Sequence, residues 1–183
     1  ERVLNKMLDA IEKTLFYSKQ NISYDINYLY VKNILAKATI LMRSNRGTIR
    51  KIDKLITNAK KIIIENTTEY ADVRLQYYLV CAWYYALVQD DKDMAEVFIE
   101  DALELSNVII PTDLQKIEDV IIPCANIYFE LCCYNQAIGL LYKGTRLCFK
   151  HINTDSYAFI RQQLYNHFFQ VGIEAQQVEW CQK

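Results

Sequence analysis

One position recurs along this chain every 42 or 43 residues. Ala10, Ile52, Ala95 and Ala137 are separated by 42, 43 and 42 residues, and each lies early in a segment with helical spacing of apolar residues. A second set of markers, mostly small, follows seven residues later: Tyr17, Ala59, Ala102 and Gly144. Similarity at a fixed period of about 20–50 residues is typical of a stacked repeat array. The period predicts an α-solenoid, an architecture that presents an extended surface to another molecule.

The composition of the chain agrees with this fold class. Four glycines and two prolines in 183 residues are too few for the frequent turns of an all-β protein. Apolar residues make up 52 % of the sequence, which is enough for a continuous core. We therefore expect an all-α fold, an α-solenoid of antiparallel helix pairs that forms one domain over residues 1–183.

Apolar periodicity divides the chain into alternating long helices, which we term A and B. An unpaired B helix is predicted over 3–19, and four repeats follow over about 23–65, 69–109, 113–151 and 156–183. Because the first B helix lacks its A partner and the last B helix is short, we expect the sequence to be a piece of a larger protein. A native capping helix at the start is the alternative.

Local signals mark where several of these helices begin. Asp90 and Asp91 are expected to form the turn before the helix 93–109, and Thr112 with Gln115 matches a capping box. These short polar side chains can accept hydrogen bonds from the first free N–H groups of a helix. The sequence therefore predicts that these two helices begin at residues 93 and 113.

Two residues are predicted to interrupt helices. Pro123 lies inside the predicted helix 113–133 and should kink or split it, because proline lacks an N–H donor. Gly172 is predicted to close the helix 156–171, so that a last helix begins at Ile173.

Apolar stripes at the two ends should lack a packing partner on one side and favour a homodimer through the terminal repeats. They comprise Leu4, Met7, Leu8, Ile11, Val171 and Val178.

Residue patterns for catalysis or metal binding are nearly absent. Cys148 and His151 are one helical turn apart, but no second pair follows at zinc-site spacing. The sequence contains no glycine-rich phosphate loop and no nucleophile or zinc-protease motif. We expect no enzymatic activity and no cofactor.

Six cysteines lie inside helical segments, which favours buried thiols in a cytoplasmic protein. No apolar run is long enough to span a membrane.

Charge is uneven along the chain although the net charge is only −1. A basic segment, 43–61, is followed by an acidic one, 90–104. Arg46, Arg50 and Lys54 share a helical face that could contact nucleic acid. Complementary charges on neighbouring B helices are the preferred interpretation, because the net charge is near zero. Nucleic acid and membrane are therefore not the expected partners.

The helix pairs resemble tetratricopeptide repeats, in a variety with a longer period such as occurs in bacterial regulators. The third repeat carries the family's small residues, aromatic and turn tyrosine at Ala125, Tyr128, Tyr134, Ala137 and Gly144. The other repeats match less completely, since Trp83 stands where a small residue is usual. The lysine–asparagine clamp of chaperone-binding members is not reproduced, because Leu41 follows Lys37 where asparagine is needed.

The resemblance implies that the A helices line a concave groove that holds a ligand. The family's groove positions fall here on Tyr77, Tyr84, Asn126, Phe129, Gln162, Asn166 and Phe169. If the groove is open to water, at least partial solvent exposure is expected for Tyr84, Asn126, Phe129, Gln162 and Asn166. Asn126 and Asn166 are expected to lie one above the other, in a register that depends on Gly172 alone for the fourth repeat. Asparagine amides can pair with a peptide backbone, and aromatic rings can supply anchor area. Burial of these aromatic residues in the core between helices is the alternative for each of them.

Three functions fit this sequence. The first is a protein- or peptide-binding regulatory module or scaffold in a larger bacterial signalling or transcription-regulating protein. The second is a scaffold that self-associates without a separate ligand. The third is a nucleic-acid-binding helical repeat that uses the basic segment.

Overall fold

The computed structural model of this chain describes residues 6, 9–10, 26–44, 49–65 and 70–181. Within these ranges the backbone is helical between short turns and contains no strand. The all-α prediction is therefore confirmed at the level of fold class. By close contact within the chain, two compact units form, Glu1–Asp90 and Asp91–Lys183. One repeat domain over the whole chain stays a prediction.

Over residues 26–90, the described part of the first unit contains three α-helices. Helix α1 runs over Ile26–Arg43, α2 over Ile49–Glu65 and α3 over Ala71–Tyr84, and a π-helical turn, Tyr85–Gln89, extends α3. Helix α1 packs against both α2 and α3. The side chains with the least exposure lie where the three helices meet, and they include Val31, Ile34, Ala38, Ile52, Ala59 and Val73.

The second unit contains the remaining helices. Helix α4 runs over Lys92–Ile109, α5 over Asp113–Lys116, α6 over Ile122–Glu130, α7 over Tyr134–Cys148 and α8 over Asp155–Cys181. Helix α7 packs against both α6 and α8, which places it at the centre of the unit. The core residues come from α4, α6, α7 and α8 and from a π-helical turn, Ile117–Ile121, and they include Ile99, Ile117, Ile121, Ala125, Leu141 and Leu164.

The periodic markers occupy equivalent places in three helices. Ile52, Ala95 and Ala137 are each the fourth residue of their helix, in α2, α4 and α7 respectively. The second markers, Ala59, Ala102 and Gly144, are each the eleventh residue, and all six positions are buried. The 42–43-residue period therefore corresponds to one structural position that returns in three helices. Ala10, the first marker, is exposed, and Tyr17 lies outside the described residues.

Local signals for helix starts are confirmed. Asp91 is the N-cap of α4, and its Oδ1 accepts a hydrogen bond from the Met94 N–H at 3.0 Å. Thr112 caps α5 in the same way, with its hydroxyl 3.3 Å from the Gln115 nitrogen. Each cap satisfies one N–H donor that the first turn of the helix leaves free.

Pro123 is accompanied by a change of helix type. The segment Ile117–Ile121 is a π-helical turn. Helix α6 begins directly after it, and Pro123 is the second residue of this helix. Because proline has no N–H, it cannot donate the bond that an uninterrupted α-helix would need at that place. The backbone stays helical from Asp113 to Glu130, so the helix is not split at Pro123 and instead switches from α to π and back just before it.

The prediction for Gly172 is wrong. Helix α8 is continuous from Asp155 to Cys181, so Gly172 does not end a helix and no separate helix begins at Ile173. None of the described glycines has the positive φ that a glycine at a helix end usually adopts. A glycine inside a helix costs only about 1 kcal/mol relative to alanine, and the surrounding residues sustain the helix through it.

The prediction that the apolar stripe at the C-terminal end lacks a packing partner is wrong for Val171. Val171 is buried, with 3 % of its surface exposed, so this residue has its packing partners within the chain. Leu4, Met7, Leu8 and Ile11 lie outside the described residues, as does the side chain of Val178.

Candidate functional site

The two predicted groove tyrosines of the first unit belong to its core. Tyr77 and Tyr84, both on α3, are 7 % and 3 % exposed. The Tyr84 hydroxyl donates to Asp53 Oδ1 at 2.6 Å and accepts a hydrogen bond from the Gln89 amide. Burial, together with the Asp53 carboxylate, raises the pKa of Tyr84 to about 12. The expectation that Tyr84 is accessible is therefore wrong, because its hydroxyl finds partners within the protein.

Lys37, which corresponds to one clamp position, is also part of the core of this unit. Its side chain is buried and forms an ion pair with Asp9. Leu41, one turn further along α1, is buried as well. The surface of α1 at this point therefore offers no free lysine to a ligand.

Helix α6 carries two predicted groove residues in half-buried positions. Asn126 and Phe129 are three residues apart, and the Phe129 ring packs edge-on against Tyr134 with 5.9 Å between ring centroids. Among the residues that the structure describes, no hydrogen bond reaches the Asn126 amide. This amide is partly accessible, as predicted, and its donor and acceptor are both free for a ligand.

Helix α8 presents the remaining predicted residues on one exposed face. Phe159, Gln162, Asn166 and Phe169 follow one another at intervals of three, four and three residues, which keeps them on the same side of a helix. The two phenylalanines are 61 % and 72 % exposed. Between them, Gln162 Nε2 donates to Asn166 Oδ1 at 3.0 Å. The predicted accessibility of Gln162 and Asn166 is therefore confirmed.

The structure brings part of the predicted site together. Helices α6 and α8 contact each other in the second unit, so Asn126 and the face of α8 belong to neighbouring helices. Tyr77 and Tyr84 belong to the other compact unit. The expected position of Asn126 directly above Asn166 in one groove stays a prediction. It depends on Gly172 as the end of a helix, and Gly172 lies inside α8.

A cleft that the sequence did not reveal adjoins the N-terminal end of this face. It has a volume of about 660 Å³, and its lining includes Thr112, Glu118, His151, Ser156, Phe159 and Ile160. His151 Nε2 lies 3.3 Å from Asp113 Oδ2, which links the end of α7 to the start of α5. Phe159 is thus shared by the cleft and the exposed face. Only the capping motif at Thr112 could have pointed here, because the other residues meet through tertiary packing.

The cysteines and acidic residues of the described ranges do not assemble into a metal site. No group of three or more histidine, cysteine, aspartate or glutamate side chains in these ranges is arranged to hold a metal ion. Cys148 is buried with its Sγ 3.9 Å from the Tyr157 carbonyl oxygen. Burial raises the pKa of Cys124 to about 12, so that thiol stays protonated at neutral pH.

Two further surface properties bear on possible partners. Within the described part of the chain, no helix combines the length and apolar character needed to cross a bilayer. Arg50 and Lys54 on α2 are exposed, whereas Arg46 lies outside the described residues. Because the basic and acidic segments fall in different compact units, their predicted complementarity stays a prediction.

Comparison with known proteins identifies no family. No protein-family model matches the chain, and no curated protein and no solved structure matches it significantly. The candidate site therefore depends on the contacts and exposure of its own residues, above all on the α8 face between Phe159 and Phe169.

Proposed function

We propose that this chain is a helical-repeat module of the long-period tetratricopeptide kind that binds a protein or peptide segment. Such a module would act as the regulatory or scaffold part of a larger bacterial, cytoplasmic signalling or transcription-regulating protein. The observation that carries the proposal is the pair of exposed phenylalanines that flank an amide pair on one face of α8.

Phe159 and Phe169 are the anchors in this proposal. Both side chains are more than half exposed, so the fold of this chain gains little from their hydrophobic surface. Aromatic residues that lose water on binding supply much of the affinity of protein interfaces. Ten residues of helix separate them by about 15 Å, which an extended peptide of about five residues can span.

The amides between and beside the anchors would hold the backbone of the bound segment. Gln162 and Asn166 use one donor and one acceptor for each other and keep the rest of their hydrogen-bonding capacity at the exposed surface. The half-buried Asn126 on α6 adds a further donor and acceptor. This arrangement suits a peptide backbone, which alternates N–H donors and C=O acceptors.

The repeat-like placement of buried small residues supports the architecture of the proposal. Three helices share a buried residue at their fourth position and a buried small residue at their eleventh. Repeated close packing of this kind is what a solenoid requires from its units. Solenoids commonly use the resulting extended surfaces for binding other proteins.

A peptide-display selection against the immobilised chain tests the proposal. A selected peptide should lose at least about tenfold in affinity for the variant Phe159→Ala/Phe169→Ala, because each anchor contributes more than about 1 kcal/mol. Tyr142→Ala removes an equally exposed aromatic ring from α7 and is the matched control. Failure to select any peptide, or equal losses in the anchor variant and the control, would refute the α8 site.

Self-association is the second candidate function, because the same exposed phenylalanines could instead contact another copy. Sedimentation of the wild-type chain and the Phe159→Ala/Phe169→Ala variant separates the two. A loss of oligomer in the variant without any selectable peptide would favour self-association through α8. Binding to nucleic acid would instead show a strong dependence on salt and on Arg50 and Lys54.

A further inference from the structure

Helix α7 continues into a 3₁₀-helical turn, Phe149–His151, and we call the outer side of residues 139–150 the α7 face. It combines positive charge with exposed aromatic rings. Lys143, Arg146 and Lys150 are spaced by three and four residues, so they lie on one side of the helix, and all three are exposed. Tyr142 and Phe149 beside them are 61 % and 50 % exposed. Lys150 approaches Asp113 at 3.8 Å, whereas Lys143 and Arg146 form no ion pair with any described residue.

This face also contains a cleft between the side chains of residues 139–150. The cleft has a volume of about 320 Å³, and Gly139 lies at its N-terminal end beside Tyr142 and Lys143. A Cβ atom placed on Gly139 would meet no atom within 4 Å, so the space above this residue is open. A glycine on an exposed helix face allows a second backbone to approach closely.

Helix α4, in the same compact unit, has a face of opposite character. Asp93, Glu100 and Glu104 are exposed on one side of the helix, and none of them forms an ion pair with a described residue. Val97 and Val108 lie on the same side and are 49 % and 81 % exposed. The face therefore has exposed apolar surface at Val97, between negative charges, and at Val108, one turn beyond Glu104. Apolar surface at the centre and charge at the rim are typical of protein interfaces.

We propose that the chain self-associates by docking the α7 face of one copy on the α4 face of a second copy. From Gly139 to Lys150 and from Asp93 to Glu104 each face extends over eleven residues, about 16 Å of helix. Positive side chains on one face meet carboxylates on the other, and Tyr142 and Phe149 cover the exposed valines.

A second copy is the occupant that the charges favour, because one chain supplies both complementary faces. Lys150 is paired with Asp113, but no ion pair with a described residue occupies Lys143, Arg146, Asp93, Glu100 or Glu104. The contact is heterologous, since it joins two different surfaces of the same protein. It uses none of the α6 or α8 residues in the proposed peptide site. Either proposal can therefore fail without the other.

Charge reversal tests this contact directly. The variants Lys143→Glu/Arg146→Glu and Glu100→Lys/Glu104→Lys should each be monomeric, because each then brings like charges together at the contact. An equimolar mixture should associate again, because the reversed α7 face of one variant complements the reversed α4 face of the other. Sedimentation velocity at a salt concentration of about 50 mM measures this, and the wild-type association should weaken at least about tenfold at about 500 mM.

Two further variants control for charge and for folding. Lys54→Glu/Lys61→Glu makes the same change of charge on exposed positions of α2 and should associate like wild type. Gly139→Leu should fold at least as well as wild type, because the site is open and leucine favours a helix, yet it should weaken association at least about tenfold by filling the cleft. A wild-type chain that stays monomeric at low salt, or a variant mixture that fails to associate, would overturn the proposal.

Discussion

Gly144 on α7 lies directly against Leu164 on α8. A Cβ atom at position 144 would come within 3.0 Å of Leu164 Cδ2 and 3.2 Å of Ile121 Cγ2. Leu164 and Ile121 are 1 % and 0 % exposed, so neither side chain has free space to move into. An alanine here would therefore push Leu164 or Ile121 by a few tenths of an ångström, which favours glycine at this marker where α2 and α4 have alanine.

We predict that Gly144→Ala lowers the free energy of unfolding by about 1 kcal/mol, although alanine is the better helix former. Overpacking a core typically costs about 1–3 kcal/mol, which exceeds the helix-propensity gain of at most about 1 kcal/mol. Gly139→Ala on the same helix is the matched control, because its Cβ meets nothing within 4 Å. The control should raise the free energy of unfolding by about 1 kcal/mol.

Urea denaturation of the two variants measures both effects. Opposite signs at positions 144 and 139 would support the close approach of α7 to Leu164. If Gly144→Ala stabilised the protein as much as Gly139→Ala, the packing of α7 against α8 would be looser than the structure shows.

Tyr84→Phe tests whether Tyr84 is a core residue rather than a ligand-binding residue. Loss of the hydroxyl removes the 2.6 Å hydrogen bond to Asp53 and should lower the free energy of unfolding by about 1 kcal/mol. Asp53 is exposed, so water replaces the lost donor and limits the cost. Peptide affinity should not change. Tyr142→Phe, on an exposed ring, should alter stability by less than about 0.5 kcal/mol.

The helices could be predicted from the sequence because local patterns determine them. Periodic apolar residues predicted the helices α2, α4 and α7. Asp91 and Thr112 indicated helix starts, because their side chains accept hydrogen bonds from N–H groups in the first helical turn. The 42–43-residue period also identified six positions that the structure buries at equivalent places. These features need no knowledge of how distant segments pack.

What the sequence did not predict depends on distant contacts. The Tyr84 hydroxyl is satisfied by Asp53, 31 residues away, so its burial could not be read from helical spacing. Gly172 is an ambiguous signal, because glycine weakens a helix only slightly and ends it only in a suitable context. The cleft beside Phe159 likewise joins side chains of three segments. On α8, by contrast, Gln162 and Asn166, which the resemblance placed in the groove, are exposed as expected.

We predict that Asn126→Ala/Asn166→Ala abolishes peptide binding and leaves the melting temperature nearly unchanged. Asn126 has no hydrogen-bond partner among the described residues, and Asn166 makes one exposed bond with Gln162. Since neither substitution removes a buried hydrogen bond, the stability should change by no more than about 0.5 kcal/mol. Calorimetry of the variant and titration with a selected peptide measure both quantities. Unfolding of the double variant would show that the amides are structural, and unchanged affinity would exclude them from the site.

His167 on α8 should make the stability of the protein depend on pH. Burial lowers the pKa of His167 below its ordinary value of 6.5, so the unfolded chain binds this proton more readily than the folded chain does. The free energy of unfolding should therefore decrease as the pH falls below 6.5 and level off below the folded pKa, with no effect of this residue above 6.5.

His167→Gln removes the titrating group and keeps a polar side chain of similar size. Denaturation curves of both proteins from about pH 7.5 to about pH 5 isolate the contribution of His167 as their difference. The wild type should lose more stability over this range than His167→Gln, and parallel profiles would show that burial does not hold His167 neutral.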